Sequence, residues 1–263
     1  MISFVIVGVA ASIAAGLTLY SGFGLGTLLM PVFALFFPVD VAVAATAIVH
    51  GANSAFKVGV VGRCADRALV VRFGLPAVVT AFLGALALGY ASRFGASTSY
   101  ELGAKVAVIT PIKVVMAILM LVFASFDLLP RLRKLTFSRR YVLLGGILSG
   151  FFGGFSGHQG ALRSAFLAKV GISTEAFVGT NAAIGFMVDA ARIATYTTMF
   201  LLGRAAGPFG ADEWPLVLVG IISALTGVMV GKRFLHKVTM GTVQTLTGVF
   251  LIGIALALGS GLV

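Results

Sequence analysis

His158, Gln159 and Arg163 stand in the stretch GFFGGFSGHQGALRSAF, Gly150–Phe166, with apolar runs on both sides. The glycines at Gly153–Gly157 permit a sharp chain reversal and let backbone N–H groups face a ligand. A helix restarting near His158 would present its positive end and its free N–H groups there. A second glycine-broken stretch, SGFGLGT, offers Ser21, Gly22, Gly24, Gly26 and Thr27 for the same purpose. Two helix N-termini aimed at one place make an anion site, with Ser156, Gly157, His158 and Gln159 contributed by the later stretch. Arg163 falls one turn into the second half-helix, next to that site.

Two further segments carry polar side chains in register. ATAIVHGANSAFK places Thr46, His50, Asn53 and Lys57 at spacings of 4, 3 and 4, so all four share one helical face. GTNAAIGFMVDAAR carries Thr180, Asn181, Asp189 and Arg192. Asp189 and Arg192 are spaced i,i+3 and are expected to form a structural ion pair. Thr180 and Asn181 are the better binding candidates, because Thr180 repeats Thr46 in the periodicity described below. His50 titrates near neutrality when free, so His50 and Asp189 are candidates for proton coupling. The competing reading of His50 is a neutral histidine bonded within a helix interface. Lys57, near a helix end, is expected to snorkel to the membrane surface. Lys113 either complements the anion or snorkels.

The elements that must position these groups are set by composition. Hydrophobic residues make up 59% of the 263 positions and charged residues only 10%, against roughly 25% in a soluble domain. Such a chain cannot cover a surface facing water, and several apolar runs approach or exceed the roughly 18 residues of a membrane span. An integral, polytopic, all-α membrane protein follows. A charge at the bilayer centre costs at least about 2.5 kcal/mol. Arg163 has no acidic neighbour in sequence, so an anionic ligand is its expected counter-charge; the alternatives are snorkelling or pairing with Asp189. The net charge of +11 reflects basic cytoplasmic loops and scarce acids rather than nucleic-acid binding, for which no basic-aromatic motif exists. The first basic residue is Lys57, so the N-terminus lacks the charged region of a signal peptide and residues 1–20 are expected in the mature protein. Cys64, the single cysteine, excludes an internal disulfide and reads as a packing residue. No metal site, cofactor site or Ser-His-Asp constellation is evident, which argues against an enzyme. GFGLGT superficially resembles a dinucleotide fingerprint but lacks its strand-helix-acid context.

A shift of 134 residues overlays Gly16 on Gly150, Gly26 on Gly160, Leu28 on Leu162, Thr46 on Thr180, Gly51 on Gly185, Val115 on Val249 and Ile118 on Ile252. The chain therefore divides into repeats at 1–129 and 141–263, joined by a basic linker at 130–140. Each repeat holds a glycine-broken apolar pair (2–20 and 25–37; 141–155 and 160–171) and then three helices (41–62, 68–91 and 106–128; 175–200, 214–232 and 242–262). If each broken pair enters and leaves on one side, Arg63, Arg67, Arg72, the linker and Lys232–Lys237 all lie inside, as the positive-inside rule requires. Three crossings per repeat is an odd number, so the repeats are inverted, a common architecture of secondary transporters with the site near the midplane. Residues 2–20 could also span alone, which leaves eight full spans as the alternative. Small-residue faces such as Gly227 and Gly231 fit either internal packing or a homodimer seam.

GFGLGTLLMP (Gly22–Pro31) and ATAIVHGAN (Ala45–Asn53), with their repeats GGFSGHQGALR and GTNAAI, resemble the sulfite exporter TauE/SafE-type permease family over essentially the whole chain. That resemblance implies a multi-pass protein of the bacterial inner membrane and a small sulfur-containing anion, sulfite or an organosulfonate, as substrate. Export is the expected direction and alternating access the expected mechanism. Phe23 and Leu25 interrupt what is often a run of glycines in the family, and His158-Gln159 is a further departure. An anion channel on the same scaffold is the alternative. Membrane lipid is the other expected partner, and a scaffolding subunit is disfavoured because no long extramembrane loop exists.

Overall fold

The computed structural model describes residues 1–18, 25–95, 97–103, 105–168, 170–202, 213–234 and 240–263. Helices dominate: α1 (Ile2–Leu17), α2 (Leu25–Ala34), α3 (Val39–Val61), α4 (Arg67–Ala91), α5 (Pro111–Leu128), the single turn α6 (Pro130–Arg133), α7 (Val142–Ser156), α8 (Gln159–Leu167), α9 (Thr174–Leu201), α10 (Trp214–Phe234) and α11 (Met240–Gly259). Local chemistry sets several boundaries. Asp66 caps α4 by accepting from the Leu69 N–H at 3.0 Å, and Ser173 caps α9 by accepting from the Ala176 N–H at 3.2 Å. Pro111 opens α5, where its missing N–H costs nothing.

Between α4 and α5 the chain forms a two-stranded antiparallel hairpin, β1 (Thr98–Leu102) and β2 (Lys105–Ile109), with Tyr100 opposite Ala107. A helix over 106–128 was expected; it starts at Pro111 because the residues before it pair as a strand. The Val108 N–H donates to the Gly261 carbonyl at 2.9 Å, which fastens the hairpin to the chain's last turn.

Among the described residues four helical stretches are long and apolar enough to cross a membrane: Val39–Cys64, Arg67–Ala91, Pro111–Leu128 and Trp214–Gly231. Ile2–Leu17, Leu25–Ala34 and Gln244–Gly259 are shorter apolar helices. The outer face carries exposed Val79, Leu83, Ile118, Ile222 and Val249, a surface suited to lipid rather than water. With the apolar composition, this makes the chain a multi-pass, predominantly helical membrane protein.

Packing runs in exchanged pairs. α1 lies along α10, α7 along α4, α5 along α11, and α3 along α9. Small residues make these approaches possible, since packing without a hydrophobic drive depends on close contact. A Cβ on Gly146, Gly150 or Gly154 would lie 2.3, 2.1 and 2.1 Å from the carbonyl oxygens of Phe73, Ala77 and Ala81 on α4. On the other side, a Cβ on Gly227 would meet the Ser12 oxygen at 2.2 Å, and one on Gly231 the Gly16 Cα at 2.7 Å. Gly227 and Gly231 therefore serve internal packing. Cys64 sits exposed in the turn before α4 rather than packed, because the chain leaves the helical bundle there.

Candidate functional site

The turn between α7 and α8 places the charged side chains. α7 continues through Ser156 and closes at Gly157, whose φ of 80° is left-handed. The reversal is thus made by Gly157 alone. Gly153 and Gly154, expected in the turn, are helical and give their bare faces to packing. α8 begins at Gln159, and Gln159 and Arg163, four residues apart, share one face.

A buried chain of hydrogen bonds follows from that placement. Arg163 Nε donates to Asn181 Oδ1 at 2.8 Å, and Arg163 Nη1 to Gln159 Oε1 at 3.2 Å. Gln159 Nε2 donates to Asp189 Oδ1 at 3.0 Å. Arg192 Nε donates to the same Oδ1 at 2.9 Å, and Arg192 Nη1 to the Gly153 carbonyl at 3.1 Å. His50 Nδ1 donates to Asp189 Oδ2 at 2.5 Å. Asn181 Nδ2 donates to the Phe177 carbonyl at 2.9 Å, which fixes Asn181 Oδ1 toward the arginine. Asp189 thus pairs with Arg192, as expected, but also gathers His50 and Gln159. Arg163 is 3% exposed and, among the described residues, its hydrogen bonds go only to neutral side chains.

A cavity of about 30 Å³ opens beside Arg163, with polar lining from Thr18, His50, Asn53, Ser54, Lys57 and Asn181. That is room for about two or three waters or a small anion. Among the described residues two cations, Arg163 and Lys57, line it, and no carboxylate does. Lys57, expected to snorkel, is half-buried and turned to this cavity. Asn53 Oδ1 is buried with no partner among the described residues. Gly185 keeps the wall thin: a Cβ there would lie 3.2 Å from Ser54 Oγ, 3.3 Å from Arg163 Nη1 and 3.4 Å from His50 Cε1. Thr18 and Ser54 also line this cavity and were not among the sequence candidates; Ser54 stands one turn after His50, the signal that could have found it.

Other candidates are placed elsewhere. Thr180 accepts from the Asp66 N–H at 2.9 Å and braces the turn before α4, so its hydroxyl points away from the cavity. Thr46 donates to its own helix at Ala42, 2.7 Å away. Ser156 donates to the Phe152 carbonyl at 3.0 Å. His158 is fully buried, stacks on Phe123 with ring centroids 5.0 Å apart, and stands off the cavity lining. Thr27 Oγ1 is buried without a partner among the described residues, also outside that lining. Gly26 and Gly157 do meet, since a Cβ on Gly26 would lie 3.0 Å from the Gly157 oxygen. Ser21, Gly22 and Gly24 lie outside the described residues. Lys113 is the third residue of α5 and spends its Nζ on the Val108 carbonyl at 2.9 Å, near the hairpin.

A larger cavity, about 740 Å³, lies on the other face of the α3–α9 pair, lined by Ala44, Ile48, Ala52, Phe186, Ile193 and Met199 among others. Size alone would favour it as a ligand site. Among the described residues its lining contains Asp40 and no cation. Among the described residues no group of three His, Cys, Asp or Glu could hold a metal.

Comparison with individually curated proteins gives no match. The family model described as sulfite exporter TauE/SafE matches residues 4–258, nearly the whole length over which these helices and the arginine-centred cavity are built. The chain belongs to the sulfite exporter TauE/SafE family.

Proposed function

We propose that the chain is a secondary transporter that carries a small sulfur-containing anion, sulfite or an organosulfonate, across the bacterial inner membrane, with export as its direction. The observation that carries this reading is the cavity beside Arg163, where two cations and no carboxylate face a space of small-anion size. A buried guanidinium that, among the described residues, is held by Asn181 and Gln159 keeps its charge available to a ligand. Gln159 supports that role by its dual character. Its carbonyl accepts from Arg163 while its amide donates to Asp189, which holds the two charges apart. Asn53, Ser54 and His50 would add hydrogen bonds to the anion.

Alternating access would come from two inverted repeats, 1–129 and 141–263, joined at 130–140. The exchanged packing of α1 with α10 and α7 with α4 supports this, because a pseudo-two-fold axis swaps those pairs and keeps α3 with α9 and α5 with α11. α1 and α7, with 16 and 15 residues, would each span about 24 Å or less, short of the roughly 30 Å hydrocarbon core. That favours re-entrant pairs over eight full spans.

Sulfite flux into proteoliposomes tests the reading, with sulfate and a small sulfonate as competitors. Saturable uptake, blocked by the sulfonate and not by sulfate, is expected. Arg163→Ala should raise the half-saturating concentration at least about tenfold, equivalent to about 1.4 kcal/mol. Unchanged affinity would remove Arg163 from the site, and non-saturating current would make the protein a channel.

A further inference from the structure

Asp127 lies outside everything described so far. It is the penultimate residue of α5, is 0% exposed, and neither carboxylate oxygen has a hydrogen-bond partner among the described residues. The element packed along it, α11, brings Gly248, where a Cβ would lie 3.2 Å from the Asp127 Cβ. α11 carries no ionisable residue at all. One turn back on α5, Phe123 lays its ring on the buried His158, and α6 supplies Arg131 and Arg133. Arg133 is within reach but is otherwise engaged. Its Nε donates to the Asp127 backbone carbonyl at 2.8 Å, and its Nη2 to the same oxygen and to Thr245 Oγ1 at 3.0 Å.

An ionised carboxylate buried with no donor is too costly to persist inside a membrane protein. The group must be neutral or hold a cation. A metal or sodium ion requires several oxygen ligands, whereas a proton requires one. We propose that Asp127 is a proton-binding site: neutral when buried between α5 and α11, and, once ionised, turned to pair with the adjacent Arg133 guanidinium. The two states would differ in how the inner end of α5 sits against α11, so that proton binding there would bias the arrangement of the bundle. Asp189 is the contrasting case. Its carboxylate already takes hydrogen bonds from His50, Gln159 and Arg192 and is suited to stay ionised. The proposal rests on the transporter reading only where flux is measured.

The test is pH-titrated infrared difference spectroscopy of the full chain in liposomes. A protonated-carboxyl band is expected at neutral pH, lost as pH rises, shifted by carbon-13 labelling of aspartate, and absent in Asp127→Asn. The labelled wild type carries the test even if the variant folds poorly. No such band, its survival in Asp127→Asn, or its loss on replacing potassium with sodium at fixed pH would overturn the proposal. In the flux arm, an imposed pH gradient should stimulate sulfite movement in wild type and leave Asp127→Asn unstimulated; equal stimulation of both would also overturn it. No sulfite movement in either would sink the substrate reading and leave this one to the infrared band.

Discussion

The half-helices α2 and α8 occupy matching places 134 positions apart and have opposite chemistry. Gln159 and Arg163 of α8 correspond to Leu25 and Leu29 of α2. Both leucines are essentially fully buried in the apolar cluster of α1, α3 and α10, while Gln159 and Arg163 enter a polar network. The helix frame around them is far more alike. Glycine approaches join α4 to α7 and, in the corresponding places, α10 to α1. Similar helix packing thus surrounds two half-helices of which one carries the arginine and the other leucines. A buried arginine requires neighbours that hold its donors without cancelling its charge, and among the described residues α8 meets them in Asn181 and Gln159.

The strongest way to break the comparison is to give α2 the chemistry of α8. Leu29→Arg would bury a charge at a site lined by apolar side chains, at a cost of several kcal/mol. The variant should fail to accumulate as a folded membrane protein, judged by monodisperse elution in detergent. Next comes Asp189→Asn, which strands Arg192 in the core. Breaking a buried pair from one side costs about 3–5 kcal/mol, so the thermal midpoint in detergent should fall sharply.

A smaller loss is expected from Gly150→Ala. Its new methyl would meet the Ala77 oxygen at 2.1 Å, an overpacking worth about 1–3 kcal/mol or more, visible as a lower midpoint. Gly59→Ala on α3 sharpens that result as its control, because nothing lies within 4 Å of a Cβ there. It should be neutral or stabilising by up to about 1 kcal/mol. Arg163→Leu, which makes α8 resemble α2, should leave the midpoint unchanged or higher while sulfite affinity falls at least about tenfold.

Most of the helical frame was legible along the chain. Apolar run lengths, the glycine breaks and the repeated register locate α1 and α2, α7 and α8, and the long helices to within a few residues, because hydrophobicity and glycine act locally along the chain. The hairpin over 98–109 escaped this reading, since a short apolar run before a proline suits a strand or a helix equally. At the site, Arg163, Asn181, His50 and Asn53 were legible, because a polar side chain in an apolar helix is conspicuous wherever it points.

Which of these side chains meet was settled by the packing of the helices. Thr180 and Asn181 are neighbours in sequence, yet one braces a turn and the other holds Arg163, because adjacent residues on a helix face about 100° apart. Lys57 was assigned to the surface and faces the cavity, and Asp127 drew no notice at all. Whether a buried charge has a partner depends on what another helix brings to it across the bundle. That is fixed when the helices pack, and no spacing along the chain records it.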